Sequence, residues 1–346
     1  MTTNARIAAV ATALPAYRVG QEEIQKACRR IFRGHAHLKK LLRVFEHAGV
    51  QERYFAFPLD YYLNGHTFTE RNRDYIAQAK RLGVQVIQAV LERAGCGVLD
   101  IDQFYFVTTT GLSTPSIDAL LSSDLGFRPD LERYPFFGLG CAGGAAALGR
   151  AAHTLTQNGI RRSLILSIEL CGQTFLNRDL SPANLIGAAL FGDGAAAVIL
   201  DREGPGPAVV GWGSELFEAT QDIMGWEFID DGFKLVLSQS VPKAITTHVA
   251  PAIERFLTRY HLTLSQIQHF LLHPGGSKVL RAYESSLKAD LRWTQRSLER
   301  VGNLSSASVL FILHDLLESK TARRGDLGLL ASVGPGFAME AALLRW

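Results

Sequence analysis

One pattern occurs twice and constrains this chain most. A strand-like run over residues 104–108 leads toward a helix that starts on small residues at Cys141, and a second strand-like run follows over 164–168. About 165 residues later the order recurs. A run over 270–273 leads toward a small-residue helix start at Ser305, followed by a run over 327–331. A long-period repeat of this kind implies two related halves, which would bring the ends of their central helices near each other. The strongest turn cluster in the chain, D-R-E-G-P-G-P over 201–207, places the boundary. The expected halves are 1–205 and 206–346. Further strand-like runs at 195–200, 208–213 and 338–344 alternate with helical patterns at 74–94, 241–260 and 277–289. That alternation predicts an α/β fold with largely buried sheets.

With 346 residues the chain suits one large domain or two fused halves. A net charge of +3 with no clustered basic face excludes the usual nucleic-acid binders. No apolar run reaches the roughly 18 residues of a membrane span. The apolar stretch 7–14 follows Arg6 like a weak signal peptide, but it is short and reads as a strand ending at Pro15. Cys28, Cys96, Cys141 and Cys171 are widely spaced, so they are expected as reduced thiols in a cytoplasmic protein rather than as metal ligands. His35 and His37 read as a solvated surface pair.

The most informative segment is G-L-G-C-A-G-G over 138–144. It puts Cys141 where a glycine turn opens a helix, and the free N–H groups and positive dipole end there favour thiolate. A buried structural cysteine is the plain alternative. The glycines also match G-x-G-x-x-G, with Glu169 ending the next strand. A dinucleotide reading is disfavoured because the cysteine sits where a pyrophosphate would lie. His273 ends a strand and opens H-P-G-G, a loop position where catalytic groups concentrate, or it is simply a strand-terminal histidine. Asn303, in G-N-L-S-S-A-S over 302–308, is by itself a capping loop with Ser305 as N-cap. Gly334, Pro335 and Gly336 close the last strand pair, as a cavity floor or a plain turn.

Taken together these segments, with A-L-F-G-D-G-A-A-A over 189–197, resemble the type III polyketide synthases, the chalcone synthase relatives. The resemblance covers most of the chain, from L-P-A-Y-R at 14–18 to the terminal strand. It implies a thiolase-like fold layered α-β-α-β-α, a homodimer, and acyl-CoA and malonyl-CoA as substrates, with no metal or redox cofactor. It implies that Cys141 carries the acyl chain as a thiolate paired with the imidazolium of His273. His273 and Asn303 would stabilise the enolate and oxyanion. Phe217 matches a gatekeeper aromatic, and Thr114 a residue that crosses into the partner's cavity. Lys40, Arg43 and His47 match the cations that meet coenzyme A phosphates, although a basic helix face is commonly just solvated.

Departures from the plant-type pattern bear on the substrate. A second gatekeeper aromatic becomes Leu235 or a neighbour. A wall threonine becomes Leu180, in a segment with Cys171, Thr174 and Phe175. Ser332-Val333 replaces an aromatic before G-P-G. Aliphatic walls favour an aliphatic guest at about 0.8 kcal/mol per buried methylene. Medium or long fatty acyl starters, extended to alkylpyrones or alkylresorcinols, are therefore expected. Two rival readings remain. One is a single-condensation β-ketoacyl-ACP synthase III, which usually carries His-Gln-Ala-Asn at the H-P-G-G position. The other is a catalytically dead scaffold, which would have lost Cys141, His273 or Asn303.

Overall fold

The computed structural model describes residues 5–34, 37–156 and 159–346. His35 lies outside the described residues, as does Gln157, where the sequence pattern ends the helix that starts at Cys141.

Nine strands run in the order Glu132–Phe136, Gln103–Val107, Arg162–Leu170, Asp193–Asp201, Arg6–Ala13, Ala208–Leu216, Ala338–Arg345, Leu327–Gly334 and His269–Leu272. The ladder has a seam, because Arg6–Ala13 and Ala208–Leu216 join through the single pair Arg6–Ala208. Each side of the seam has the same strand senses. Gln103–Val107 runs parallel to Arg162–Leu170, with Asp193–Asp201 and Arg6–Ala13 following antiparallel. His269–Leu272 runs parallel to Leu327–Gly334, with Ala338–Arg345 and Ala208–Leu216 following antiparallel. A parallel pair needs a crossover, and each crossover here carries a buried helix, Gly143–Thr154 or Ser308–Ser319. The repeat read from the sequence is thus a repeat of topology.

Both crossover helices pack against strands from the two sides of the seam, so they form the middle layer. Outside one sheet lies Phe68–Ala94, which buries Tyr75, Ala79, Leu82, Val86 and Val90 at helical spacing. Outside the other lie the helical run from Val241 to Thr258 and Ser277–Leu287. This is the expected α-β-α-β-α thiolase-like arrangement. The three apolar clusters follow the layers. The outer C-terminal cluster also takes in Ile24, Cys28, Leu42, Phe45, Leu185 and Ala189. The helices Gln21–Ile31, Leu38–His47 and Pro182–Leu190 therefore cover the C-terminal half.

Local chemistry explains where element limits differ from expectation. The helix predicted to start at 74 starts at Phe68, because Thr67 and Glu70 form a capping box: the Glu70 N–H donates to Thr67 Oγ1, and the Thr67 N–H to Glu70 Oε2. The 241–260 helix widens into a π-type turn over Ile245–Val249, just before Pro251, which cannot donate to the preceding turn. The hairpin Met224–Ile229 and Gly232–Leu237 was not predicted, although Asp230-Asp231-Gly232 between apolar runs is a turn signal. The charged, Pro135-containing strand Glu132–Phe136 was also missed, and it sits at a sheet edge, where proline is tolerated. Among the described residues no helix is long and apolar enough to cross a membrane.

Candidate active site

Cys141 lies in a tight turn, Gly140–Ala142, that opens the buried helix Gly143–Thr154. The glycines around it permit close contact. A Cβ on Gly140 (φ +47) would stand 2.3 Å from Pro335 Cδ, and one on Gly144 would stand 2.2 Å from the Ser306 carbonyl. The first contact seats the Gly334–Gly336 turn on the cysteine loop. The second lets the starts of the two central helices abut. Ser332 Oγ donates to the Cys141 carbonyl at 2.6 Å, and the Cys141 thiol lies 3.7 Å from its acceptor, Ser305 Oγ.

His273 continues the His269–Leu272 strand, its N–H bonded to the Ala331 carbonyl at 3.0 Å. Its Nδ1 is buried without a hydrogen-bond partner among the described residues. Asn303 is fixed more tightly. Its Oδ1 accepts the Ser305 N–H at 2.8 Å, so its NH2 group is the side of the amide left to donate. Cys141, His273 and Asn303 line one cavity together with Leu235 and Pro335. That cavity encloses about 780 Å³ of empty space, part of it open to solvent.

Burial opposes an isolated charge on either reactive group. It pushes the Cys141 thiol up to about 12, with Ser305 pulling weakly the other way, and lowers the His273 imidazole to about 3. The imidazolium–thiolate expected from the sequence can therefore exist only as a pair, each charge serving as the other's counter-ion. Behind them lies Glu169, the acidic residue near the end of the strand after the G-x-G-x-x-G match. It accepts from the Thr109 N–H at 3.1 Å and Thr110 Oγ1 at 2.9 Å, and from the Ser306 hydroxyl. Burial raises its carboxyl to about 7.

Other expected residues fall at varied distances from this centre. Phe217 is buried but stands behind Phe337, 5.9 Å ring to ring, and it is Phe337 that faces the cavity. Gly334 and Gly336 flank Pro335 without lining the cavity themselves. Thr114 is exposed and outside this chain's own cavity. Leu180, expected in the wall, is 47% exposed. Thr174, not Leu180, lines a neighbouring cavity, because the turn Cys171–Thr174 stays at the strand end while the chain then leaves for the surface and caps Pro182–Leu190 at Ser181. Lys40, Arg43 and His47 are exposed on Leu38–His47. The last carbonyl of that helix accepts from Ser277, just after the H-P-G-G loop.

A second cavity, almost wholly apolar, adjoins the first and encloses about 590 Å³ of empty space, part of it open to solvent. Ile24, Ala27, Ile31, Phe55, Leu59 and Phe175 are among its walls. Cys171, Phe191, Trp226 and Leu235 line both cavities. Trp226 and Leu235 face each other across the unpredicted hairpin, and the Trp226 indole N–H donates to Thr109 Oγ1 at 3.1 Å.

A thiolase-like fold with a buried cysteine, histidine and asparagine in one cavity defines a condensing acyltransferase. The family model "Chalcone and stilbene synthases, N-terminal domain" matches residues 1–205, and "3-Oxoacyl-[acyl-carrier-protein (ACP)] synthase III C terminal" matches 257–346. The chain is 38% identical to 1,3,6,8-tetrahydroxynaphthalene synthase of Streptomyces peucetius subsp. caesius, over 98% of this chain and 93% of that one. It is 30% identical to phloroglucinol synthase of Pseudomonas fluorescens Pf-5, over 96% of each. The crystal structure of 1,3,6,8-tetrahydroxynaphthalene synthase from Streptomyces coelicolor A3(2) superposes with a TM-score of 0.95 at 31% identity, over 99% of both chains. The chain belongs to the chalcone and stilbene synthase family, the type III polyketide synthases. It is an acyltransferase that condenses malonyl-CoA units iteratively.

Proposed function

We propose that Cys141 carries the growing chain, that His273 receives its thiol proton, and that His273 and Asn303 form the oxyanion site. The observation that carries this reading is the Asn303 amide, locked by Ser305 so that its N–H groups remain for a ligand in the cavity that Cys141 and His273 share. Sγ attacks the acyl-CoA carbonyl carbon and the bond to the coenzyme A sulfur breaks; coenzyme A leaves as a thiolate that takes its proton from solvent, so His273 keeps the proton it received from Cys141 for the next step. Malonyl-CoA then loses carbon dioxide. The electron pair of the broken C–C bond becomes an enolate, whose oxygen takes hydrogen bonds from His273 and Asn303. The enolate carbon attacks the acyl thioester, and the breaking C–S bond returns the electron pair to Cys141. Lys40 and Arg43 offer exposed cations, and His47 an exposed imidazole in place of a fixed charge, for the coenzyme A phosphates.

The proposed starter is a medium- or long-chain acyl-CoA, extended and cyclised to an alkylpyrone or alkylresorcinol. The second cavity supports this, since an extended chain passing Trp226 and Leu235 would bury its methylenes there. Relatives named for hydroxylated aromatic products favour a second reading, small starters with malonyl-CoA alone. Incubation with malonyl-CoA and acyl-CoA starters of rising length, read by product mass, decides. Alkylated tri- or tetraketides support the first reading. Turnover of malonyl-CoA alone, with long starters inert, overturns it. A homodimer, with Thr114 reaching the partner's cavity, is part of the proposal, and light scattering tests it.

A further inference from the structure

Arg53 lies in the short strand Glu52–Phe55 and is wholly buried, yet it lines neither cavity. No carboxylate forms an ion pair with it among the described residues. Asp193 is near enough to act on it electrostatically, but the Asp193 carboxylate takes its hydrogen bonds from the Ala56 and Gly172 N–H groups and Tyr62. The terminal nitrogens of the guanidinium donate elsewhere, and Nε is buried without a hydrogen-bond partner among the described residues. Its Nη1 donates to the Ala188 carbonyl at 2.7 Å and the Phe191 carbonyl at 3.0 Å, and its Nη2 donates to Gln21 Oε1. Gln21 Nε2 in turn donates to the Ala189 carbonyl at 3.0 Å. The carbonyls of 188, 189 and 191 belong to the C-terminal end of the Pro182–Leu190 helix, where backbone acceptors lack partners and the dipole is negative.

The next links reach the catalytic cavity. The Leu190 carbonyl accepts the Asn303 N–H at 2.8 Å, the Gly192 N–H donates to the Asn303 carbonyl at 3.1 Å, and Phe191 and Asn303 form an isolated parallel bridge. Gly302 (φ +72) completes the clamp. A Cβ there would stand 2.8 Å from Arg53 Cγ and Cδ and 2.6 Å from the Leu190 carbonyl. Arg53 therefore touches both sides of the bridge. It holds the 188 and 191 carbonyls with its head and underlies the residue before Asn303 with its stem.

We propose that Arg53 is the positioning residue for Asn303, setting the register of residues 190–192 against 303 and hence the aim of the Asn303 amide. A lysine would keep the charge but could not span both carbonyls and Gln21. The inference rests on the proposed oxyanion role of Asn303, so the test measures both. Starter-independent decarboxylation of malonyl-CoA, alkylation of Cys141 by iodoacetamide, and thermal unfolding are compared for the parent, Asn303→Ala, Arg53→Lys, Gln21→Met and the Arg53→Lys/Asn303→Ala double variant. Loss of one oxyanion donor costs roughly a hundredfold in rate. Arg53→Lys is expected to lose at least tenfold in decarboxylation with Cys141 alkylation within about twofold of the parent, and the double variant should be no slower than Asn303→Ala. Gln21→Met, which removes only the outer bond, should show the same split more weakly and serves if Arg53→Lys does not fold. Equal loss of decarboxylation and alkylation, full additivity in the double variant, or parent decarboxylation in both folded single variants at 53 and 21 overturns the inference. Parent decarboxylation in Asn303→Ala overturns instead the oxyanion reading beneath it.

Discussion

If the second cavity holds the acyl chain, a side chain placed inside it must cost activity in proportion to chain length. Ala27 lies on the Gln21–Ile31 helix with its methyl group in the cavity wall, 4% exposed. Ala27→Phe would fill space that a chain otherwise occupies, far from Cys141. Each excluded methylene forfeits about 0.8 kcal/mol, a factor of about four. A starter long enough to lose four methylenes of burial should therefore lose about 3 kcal/mol, roughly 200-fold in kcat/KM. A starter too short to pass Trp226 and Leu235 should be unaffected. The assay is kcat/KM against chain length in both proteins, with thermal unfolding to confirm that the variant is folded. The parent should rise with length while Ala27→Phe levels off early. Two parallel curves would refute the reasoning, because the cavity would then have no bearing on chain length.

Three further outcomes follow from particular contacts. Burial raises the carboxyls of Glu169 and Asp193 to about 7, so their contribution is intact below the ordinary carboxylate range and is lost as pH rises through about 7; thermal unfolding of Glu169→Gln should overtake the parent between pH 5 and 8, by about 3 kcal/mol at most. Lys40→Ala and Arg43→Ala remove exposed cations and should each raise KM for coenzyme A thioesters about two- to fivefold with kcat unchanged, an effect that vanishes at high salt. Gly144→Ala drives a Cβ to 2.2 Å from the Ser306 carbonyl, backbone that cannot swing aside, and should cost at least about 1–3 kcal/mol in denaturant unfolding.

Much of this was legible in the sequence, for identifiable reasons. The repeat was visible because each half spends a strand, a small-residue helix and a second strand on the same buried crossover. Cys141, His273 and Asn303 were visible because glycine, proline and serine must surround them: Gly140 faces Pro335, Gly144 faces Ser306, and Ser305 locks the Asn303 amide. What stayed hidden depends on contacts between distant segments. Arg53 reads as one more cation in E-R-Y-F until helix Pro182–Leu190 lies over it. The Trp226–Leu235 wall sits on a hairpin whose two strands carry a cross-strand charge pair, Glu227 and Lys234, and so lack a plain apolar rhythm. Leu180 was placed in the wall by resemblance to the plant-type pattern, but it lies past the tight Cys171–Thr174 turn, where the chain has left for the surface.

The central claim is that the acyl chain resides on Cys141 while decarboxylation belongs to His273 and Asn303. Intact-protein and peptide mass spectrometry after brief exposure to a single acyl-CoA tests it directly, alongside malonyl-CoA decarboxylation by Cys141→Ala. The account predicts one acyl group on the Cys141 peptide of the parent. It predicts none on Cys141→Ala, which makes no polyketide yet still releases carbon dioxide from malonyl-CoA. An acyl group on another residue, or undiminished polyketide formation by Cys141→Ala, would contradict it.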